Sequence, residues 1–249
     1  MRILLVNPNT SESLTRLMLD AGTPAAASGT RLIPVTAHRG MPYISSRAEA
    51  QIAGAIVLEM LSECHRDGDA AIVAAFGDPG LHGARELFDI PVIGVSEAAM
   101  LAACMLGKRF LIVSFAAALG HWYQDCVEMH GLAGRCAGIH SLEGRFGSIS
   151  QVQAEKEELL VELALKGIAE TQVDVLIPGG APLAGLADKI KMRIPVPVVD
   201  PVQAAVKMAE ALIALKTTKA SVSTFRRPSA KETIGLDEAL AARIGHRDR

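Results

Sequence analysis

The sequence predicts an α/β protein with two pseudo-symmetric Rossmann-like lobes, each a mainly parallel four-stranded sheet flanked by helices, and a cleft between the lobes. Two observations support this fold class. Short hydrophobic runs alternate with longer stretches of helical periodicity along most of the 249 residues, a pattern typical of a parallel sheet covered by helices. A strand–turn–helix–strand pattern also occurs twice. Since 50% of the residues are hydrophobic, the chain can bury a core in each lobe.

The predicted elements alternate regularly along the chain. The hydrophobic runs predict strands at residues 3–6, 31–35, 70–75, 92–95, 110–113, 137–140, 173–177 and 196–199. Helical periodicity predicts helices at residues 11–20, 48–66, 97–106, 121–130, 151–170 and 202–215. Residues 217–249 break the alternation. They are predicted to form an arm over the surface or a partly mobile end, with a short helix at 236–244.

An internal repeat divides the chain into lobes. Residues 72–81 and 176–183 are both apolar strands that run into a turn rich in Gly and Pro, and each is followed by a helix and an Ile-Pro-Val strand. We therefore expect a first lobe of residues 1–96 with about 200–216, a second lobe of residues 97–199, and the arm. Ligands of open α/β sheets bind beyond the carboxyl ends of the strands, so the chemistry is expected there.

Composition excludes several function classes. The formal charge of −2 and pI near 6.4 give no basic field for nucleic acid. The four cysteines form no C-x-x-C pair and have no zinc-ligand spacing, so we expect a reducing, cytoplasmic setting and no metal site. The apolar start is too short for a secretory or membrane-spanning segment. No glycine pattern of a dinucleotide or phosphate loop is present, so no cofactor is expected.

Polar side chains follow the first strand directly. Asn7, Asn9 and Thr10 stand at a strand-to-helix turn, where amide and hydroxyl groups beside free helix N–H groups suit a carboxylate, carbonyl or amide oxygen of a small ligand. The alternative is a turn and helix cap that only satisfies the backbone. Both interpretations remain open from the spacing alone.

Five motifs together resemble a known family. They are the Asn-Pro-Asn-Thr-Ser, Ala-Phe-Gly-Asp-Pro-Gly-Leu, Ile-Pro-Val-Ile-Gly-Val-Ser-Glu-Ala, Gly-Gly-Ala-Pro-Leu-Ala-Gly and Lys-Thr-Thr-Lys segments at residues 7–11, 75–81, 90–98, 179–185 and 216–219. Their order resembles the aspartate/glutamate/hydantoin racemase superfamily over roughly residues 1–219, particularly its hydantoin and allantoin racemase branch. The resemblance implies two α/β lobes, a substrate cleft between them and no cofactor.

The resemblance also implies two cysteines, one from each lobe, which exchange protons on opposite faces of a carbon acid. In this sequence Ala75 and Gly180 stand at the two matching positions. Neither residue has a titratable atom, so the two-thiol mechanism cannot operate there. The four cysteines that are present lie in predicted helices or before a strand, which favours a packing role.

Other side chains are candidates for proton transfer. Asp78 follows Ala75 by three residues, although it can equally cap the helix over residues 81–87. His121 and Tyr123 stand beside the only tryptophan after a strand end, where they act in acid–base chemistry or pack on the sheet. The predicted ligand-binding set is completed by residues at the strand ends, namely Ala75, Phe76, Ser114, Phe115, Gly180 and Ala181. The resemblance implies that the loop before the second helix also faces the substrate, which adds Ser45 and Ser46.

Three functions remain open at this stage. The first is a cofactor-independent racemase or isomerase of a small carbon acid, such as a hydantoin, an amino acid, or a related carboxylate or ureide. The second is a small-ligand binding protein without catalysis, and the third is a lyase or decarboxylase on the same fold. In each case the expected partner is a small molecule, without nucleic acid or membrane, and the resemblance favours a homo-oligomer.

Overall fold

The first sheet follows from runs that are apolar on both faces. In the computed structural model, which describes residues 1–143 and 149–248, it contains β1 (Arg2–Asn7), β2 (Arg31–Thr36), β3 (Ala70–Val73) and β4 (Val92–Gly94). All neighbours are parallel, in the order β2-β1-β3-β4. Because side chains alternate across a strand, Ile3 and Leu5 enter one apolar core, and Leu4 and Val6 enter the core on the opposite face.

The second sheet repeats this order with one strand fewer. It contains β5 (Phe110–Ser114), β6 (Cys136–Ser141) and β7 (Val175–Pro178), again parallel, in the order β6-β5-β7. The α/β class and the parallel sheets of the prediction are confirmed. The predicted fourth strand at residues 196–199 is reduced to a single bridge between Leu176 and Val198. Pro195 and Pro197 remove two backbone donors from this segment, so a longer ladder cannot form.

Helices cover both sheets. Their bounds are α1 (Glu12–Gly22), α2 (Arg47–Cys64), α3 (Leu81–Leu87), α4 (Val95–Leu106), α5 (Gly120–Met129), α6 (Val152–Thr171), α7 (Leu186–Ile190), α8 (Pro201–Ala214) and α9 (Glu238–Ile244). No helix in the described part of the chain combines the length and hydropathy needed to cross a membrane. The helices over residues 11–20, 48–66, 97–106, 121–130, 151–170 and 202–215 agree with α1, α2, α4, α5, α6 and α8 to within a few residues.

Helix α4 packs against both lobes. Val95 and Ala98 belong to the core that α8 covers on the first sheet. Ala99, Met100 and Ala103 belong to the core of the second sheet. One helix therefore joins the two cores, directly beyond the strand end where ligands of such folds bind.

The C-terminal arm packs on the first lobe. Leu240 of α9 enters the core on one face of the first sheet. Arg243 is 4% exposed, donates hydrogen bonds to the carbonyl oxygen of Leu87 at 3.0 and 2.7 Å, and pairs with Asp89 at 2.8 Å. A buried arginine with these partners fixes α9 against the surface.

Candidate functional site

The ends of β3 and β7 meet between the two sheets. A Cβ atom built on Gly179, directly after β7, would lie 3.1 Å from Cε1 of Phe76, which follows β3. The Phe76 ring also meets the Tyr123 ring edge-on, with centroids 4.7 Å apart. Side chains of the first lobe thus contact the second lobe at the carboxyl ends of the strands, where the sequence predicted a cleft.

Gly180 has no space beside it for a larger side chain in this conformation. Its φ is +125°, and an added Cβ would lie 2.8 Å from Cε1 of Phe115 and 3.2 Å from the hydroxyl of Tyr123. An aromatic ring and a phenol group therefore occupy the position where the resemblance implies a thiol. Ala75, at the other implied thiol position, is 5% exposed.

Tyr123 places its hydroxyl in a dry environment. Burial raises the pKa of Tyr123 well above its ordinary value of 10.0, and the neighbouring Ser114 hydroxyl offsets this only partly. Ser114 itself is fully buried at the end of β5. Because the phenol keeps its proton at neutral pH, Tyr123 is a hydrogen-bond and proton donor and not a base.

Little empty space remains beside Gly180. A cavity of about 10 Å³ remains beside Gly180, bordered also by Phe76 and Ala181. This is at the lower limit for a single water molecule. A ligand can therefore reach Gly180 only if side chains or lobes move apart.

The polar turn after β1 is internally bonded. The side-chain amide of Asn7 donates to Asn9 Oδ1 at 3.1 Å and to Thr15 Oγ1 at 2.8 Å. Asn9 Oδ1 also accepts from the backbone amide of Ser11 at 3.0 Å, and the Thr10 amide donates to the Met41 carbonyl at 2.9 Å. These are the bonds of a turn and helix cap that satisfies its own backbone, the alternative given for this segment from the sequence. A ligand at Asn7 or Asn9 would have to share or replace them.

The serines before α2 form a helix start. Ser46 caps α2 by accepting from the Glu49 amide, and Glu49 in turn accepts from the Ser45 amide and hydroxyl at 2.6 and 2.9 Å. This arrangement differs from a capping box in that Glu49 accepts from Ser45, one residue before the N-cap Ser46. Both hydroxyls are engaged within the turn.

Asp78 belongs to a buried ionic network on the other side of the turn after β3. Its carboxylate accepts from the amides of Ser96 and Glu97, at 3.0 and 2.8 Å, and so caps α4 and not α3. His130 Nε2 lies 3.0 Å from Asp78 Oδ2, and His130 Nδ1 lies 3.5 Å from Glu97 Oε1. Burial alone would lower the pKa of His130, but hydrogen bonds to Asp78, Cys126 and Glu97 raise it to about 11.

His121 and His130 occupy opposite environments on α5 and its end. His121 is exposed to solvent, whereas the His130 side chain is 3% exposed. His121 was a predicted catalytic residue, whereas His130 was not among the predicted site residues. The sequence signal that could have identified His130 is its spacing from Cys126. The two residues are four apart, so they share a helix face with the buried Trp122 and Tyr123.

A larger pocket lies over this network. It has a volume of about 480 Å³ and runs between α2 of the first lobe and α5 of the second, with Asp78 and Cys126 at its wall. Arg47 and Asp125 face each other there, with Arg47 Nη2 2.8 Å from Asp125 Oδ1. This pocket is separate from the small cavity beside Gly180.

The parallel sheets, the contact between strand ends and the glycine turns define a two-lobed α/β protein with a racemase-type fold. The chain belongs to the Asp/Glu/Hydantoin racemase family, whose model matches residues 3–209. It is 30% identical to a hydantoin racemase of Pseudomonas sp. (strain NS671), over 96% of each chain. It is 31% identical to a hydantoin racemase of Paenarthrobacter aurescens, over 94% of this chain and 100% of that one. Among solved structures, allantoin racemase from Klebsiella pneumoniae matches with a TM-score of 0.91 and 32% identity, covering 96% and 98% of the two chains.

Proposed function

We propose that this family member binds a small carbon acid between its lobes and moves the proton at the acidic carbon without thiols, as a cofactor-independent isomerase. The substrate class we favour is a hydantoin or a related ureide such as allantoin, since the similar proteins are hydantoin and allantoin racemases. The observation that carries the proposal is the Tyr123 hydroxyl, 3.2 Å from where a Cβ at position 180 would lie.

Tyr123 would act as an acid in this reaction. When a carbon acid loses its α-proton, negative charge develops on the neighbouring carbonyl oxygen, and a phenol in a dry site stabilises that charge by donating a hydrogen bond. The protonated phenol can also return a proton to the carbon. Residue 75 offers no titratable atom, so in this proposal a water molecule removes the α-proton and becomes hydronium. The planar enolate is then reprotonated from either face, by Tyr123 or by the hydronium. Where Tyr123 is the donor, the hydronium returns its proton to the phenolate.

The direct test measures proton exchange. The protein is incubated in deuterated water with single enantiomers of 5-substituted hydantoins, allantoin and α-amino acids, and α-deuterium and optical rotation are followed. We expect exchange and loss of optical rotation for the ureides, with a decrease of at least about tenfold in Tyr123→Phe because one oxyanion donor is lost. Gln124→Ala, on the exposed side of the same helix, is the matched control and is expected to keep the wild-type rate.

Absence of exchange with every compound would contradict the isomerase. Thermal stabilisation by the same ureides without exchange would then identify a binding protein. Loss of carbon dioxide from a carboxylated substrate would identify a lyase on the same fold.

A further inference from the structure

Three side chains with metal-ligating atoms converge at the wall of the pocket between α2 and α5. Among residues 1–143 and 149–248, the ligand atoms of Asp78, Cys126 and His130 all lie within 4.8 Å of one another. Asp78 and Cys126 are buried, and the His130 side chain is 3% exposed. Asp78 belongs to the turn after β3 in the first lobe. Cys126 lies on α5 of the second lobe, and His130 is the first residue after the end of that helix.

We propose that Asp78, Cys126 and His130 bind a zinc ion that links the two lobes at the wall of this pocket. A thiolate, an imidazole and a carboxylate together match the ligands that zinc prefers, in a tetrahedral arrangement. Three protein ligands leave the fourth coordination position of a tetrahedral zinc ion open. Since Asp78 and Cys126 line the pocket, a water molecule or a small anion from the pocket can fill it.

The spacing of the ligand atoms suits this ion. Asp78 Oδ2 and His130 Nε2 are 3.0 Å apart, and zinc bonds of about 2.0–2.1 Å at a tetrahedral angle need roughly 3.3 Å. The ion would take the place of the proton that these two atoms share. An opening of a few tenths of an ångström is within the freedom of the side chains.

The surroundings of the three ligands are also those of a metal site. Metal-bound histidines usually donate their second ring N–H to a carboxylate, and His130 Nδ1 faces Glu97 Oε1 at 3.5 Å. Glu97 is fixed by Arg85, whose Nη1 donates to Oε1 at 2.9 Å. Asp78 is fixed by the two α4 amides, so its orientation does not depend on the metal.

Metal binding to the full chain tests the proposal. After removal of metals with a chelator, zinc is added, and its stoichiometry and affinity are measured by elemental analysis and calorimetry. We expect one zinc per chain and a higher melting temperature, because the ion binds only the folded arrangement. Cobalt(II) in place of zinc is expected to give the charge-transfer band of a thiolate–cobalt bond and the visible bands of a tetrahedral site.

Variants assign the ligands. Cys126→Ser is expected to abolish the thiolate band, and His130→Gln to lose stoichiometric binding. Glu97→Gln is expected to weaken zinc roughly tenfold or more while keeping the thiolate band. Cys104→Ser and His82→Gln are the matched controls: Cys104 is a partly buried cysteine outside the cluster, and the His82 ring lies 5.9 Å from that of His130.

Measurements on the wild type and on two variants can each overturn the proposal. A wild-type chain that binds no stoichiometric zinc, or a cobalt complex without a thiolate band, would show that the cluster is only a buried ion pair. Unchanged binding in folded Cys126→Ser and His130→Gln would do the same. These measurements do not involve turnover, so their failure is distinct from a failure of the proposed isomerase.

Discussion

Gly180 is held in a backbone conformation that residues with a side chain rarely adopt. Its φ of +125° lies outside the left-handed region that some other residues tolerate. The Phe115 ring and the Tyr123 hydroxyl also fill the space a Cβ would need. Backbone strain and close packing therefore both favour glycine here, independently of any catalytic role.

Gly180→Ala is expected to lower the free energy of unfolding by about 2–5 kcal/mol, because strain and overpacking add. Gly29→Ala is the matched control, since Gly29 has φ +85° but nothing within 4 Å of an added Cβ. Gly29→Ala should lower the free energy of unfolding only by the backbone strain, about 1–2 kcal/mol. Urea unfolding followed by circular dichroism measures both losses. Equal losses would mean that the Phe115 ring moves aside freely and that packing adds nothing to the backbone strain at Gly180.

At the scale of elements, the C-terminal arm depends on one ionic cluster. Asp248 pairs with Arg243 at 2.7 Å and with Arg227 at 2.8 Å, and Arg243 also bonds the end of α3 through the Leu87 carbonyl. Burial would raise the pKa of Asp248, but the two arginines lower it to about 2, from an ordinary value of 3.8. The folded arm thus favours the ionised carboxylate.

The depressed pKa gives a pH dependence of definite sign. The contribution of Asp248 to the stability of the folded arm is fully present above about pH 3.8 and is lost as the pH falls through 2. We expect Asp248→Asn to lower the hydrogen-exchange protection of α9 at neutral pH, measured relative to the intrinsic exchange rate, whereas the wild type loses this part of the protection only as the pH falls towards 2. Asp125→Asn, which removes an exposed carboxylate paired with Arg47, is the control. Equal protection of α9 in Asp248→Asn and the wild type would show that Leu240 holds the arm without the ion pairs.

At the scale of the whole molecule, periodicity predicted the elements but not the contacts between distant segments. Seven of the eight predicted strands were located. Five of them are buried on both faces and leave continuous apolar runs, and β2 and β6 are partly exposed edge strands. Pro195 and Pro197 explain the one reduced to a bridge. The approach of His130 to Asp78, 52 residues away, depends on how the lobes dock, which a single sequence does not encode locally. The orientation of His121 was predictable, because the helical phase that buries Trp122 and Tyr123 turns it outward.

The lobes are expected to unfold together. Helix α4 contributes to both cores, and the indole of Trp122 in the second lobe packs directly on Gly77 of the first. Separation of the lobes would expose parts of both cores, so a state with parted but folded lobes should be poorly populated. Trp122 is the only tryptophan, and its fluorescence therefore reports the junction alone.

We predict that Trp122 fluorescence and far-ultraviolet circular dichroism change at the same urea concentration in the wild type. A Cβ at residue 77 would lie 2.3 Å from Cζ2 of Trp122, at a φ of +112°. Gly77→Ala should therefore cost at least about 3 kcal/mol and move the fluorescence transition to lower urea than the circular dichroism transition, because the junction is weakened selectively. Gly29→Ala should keep the two transitions together. A fluorescence transition that already precedes circular dichroism in the wild type would show that the lobes part before they unfold, and that α4 couples them less strongly than its shared packing implies.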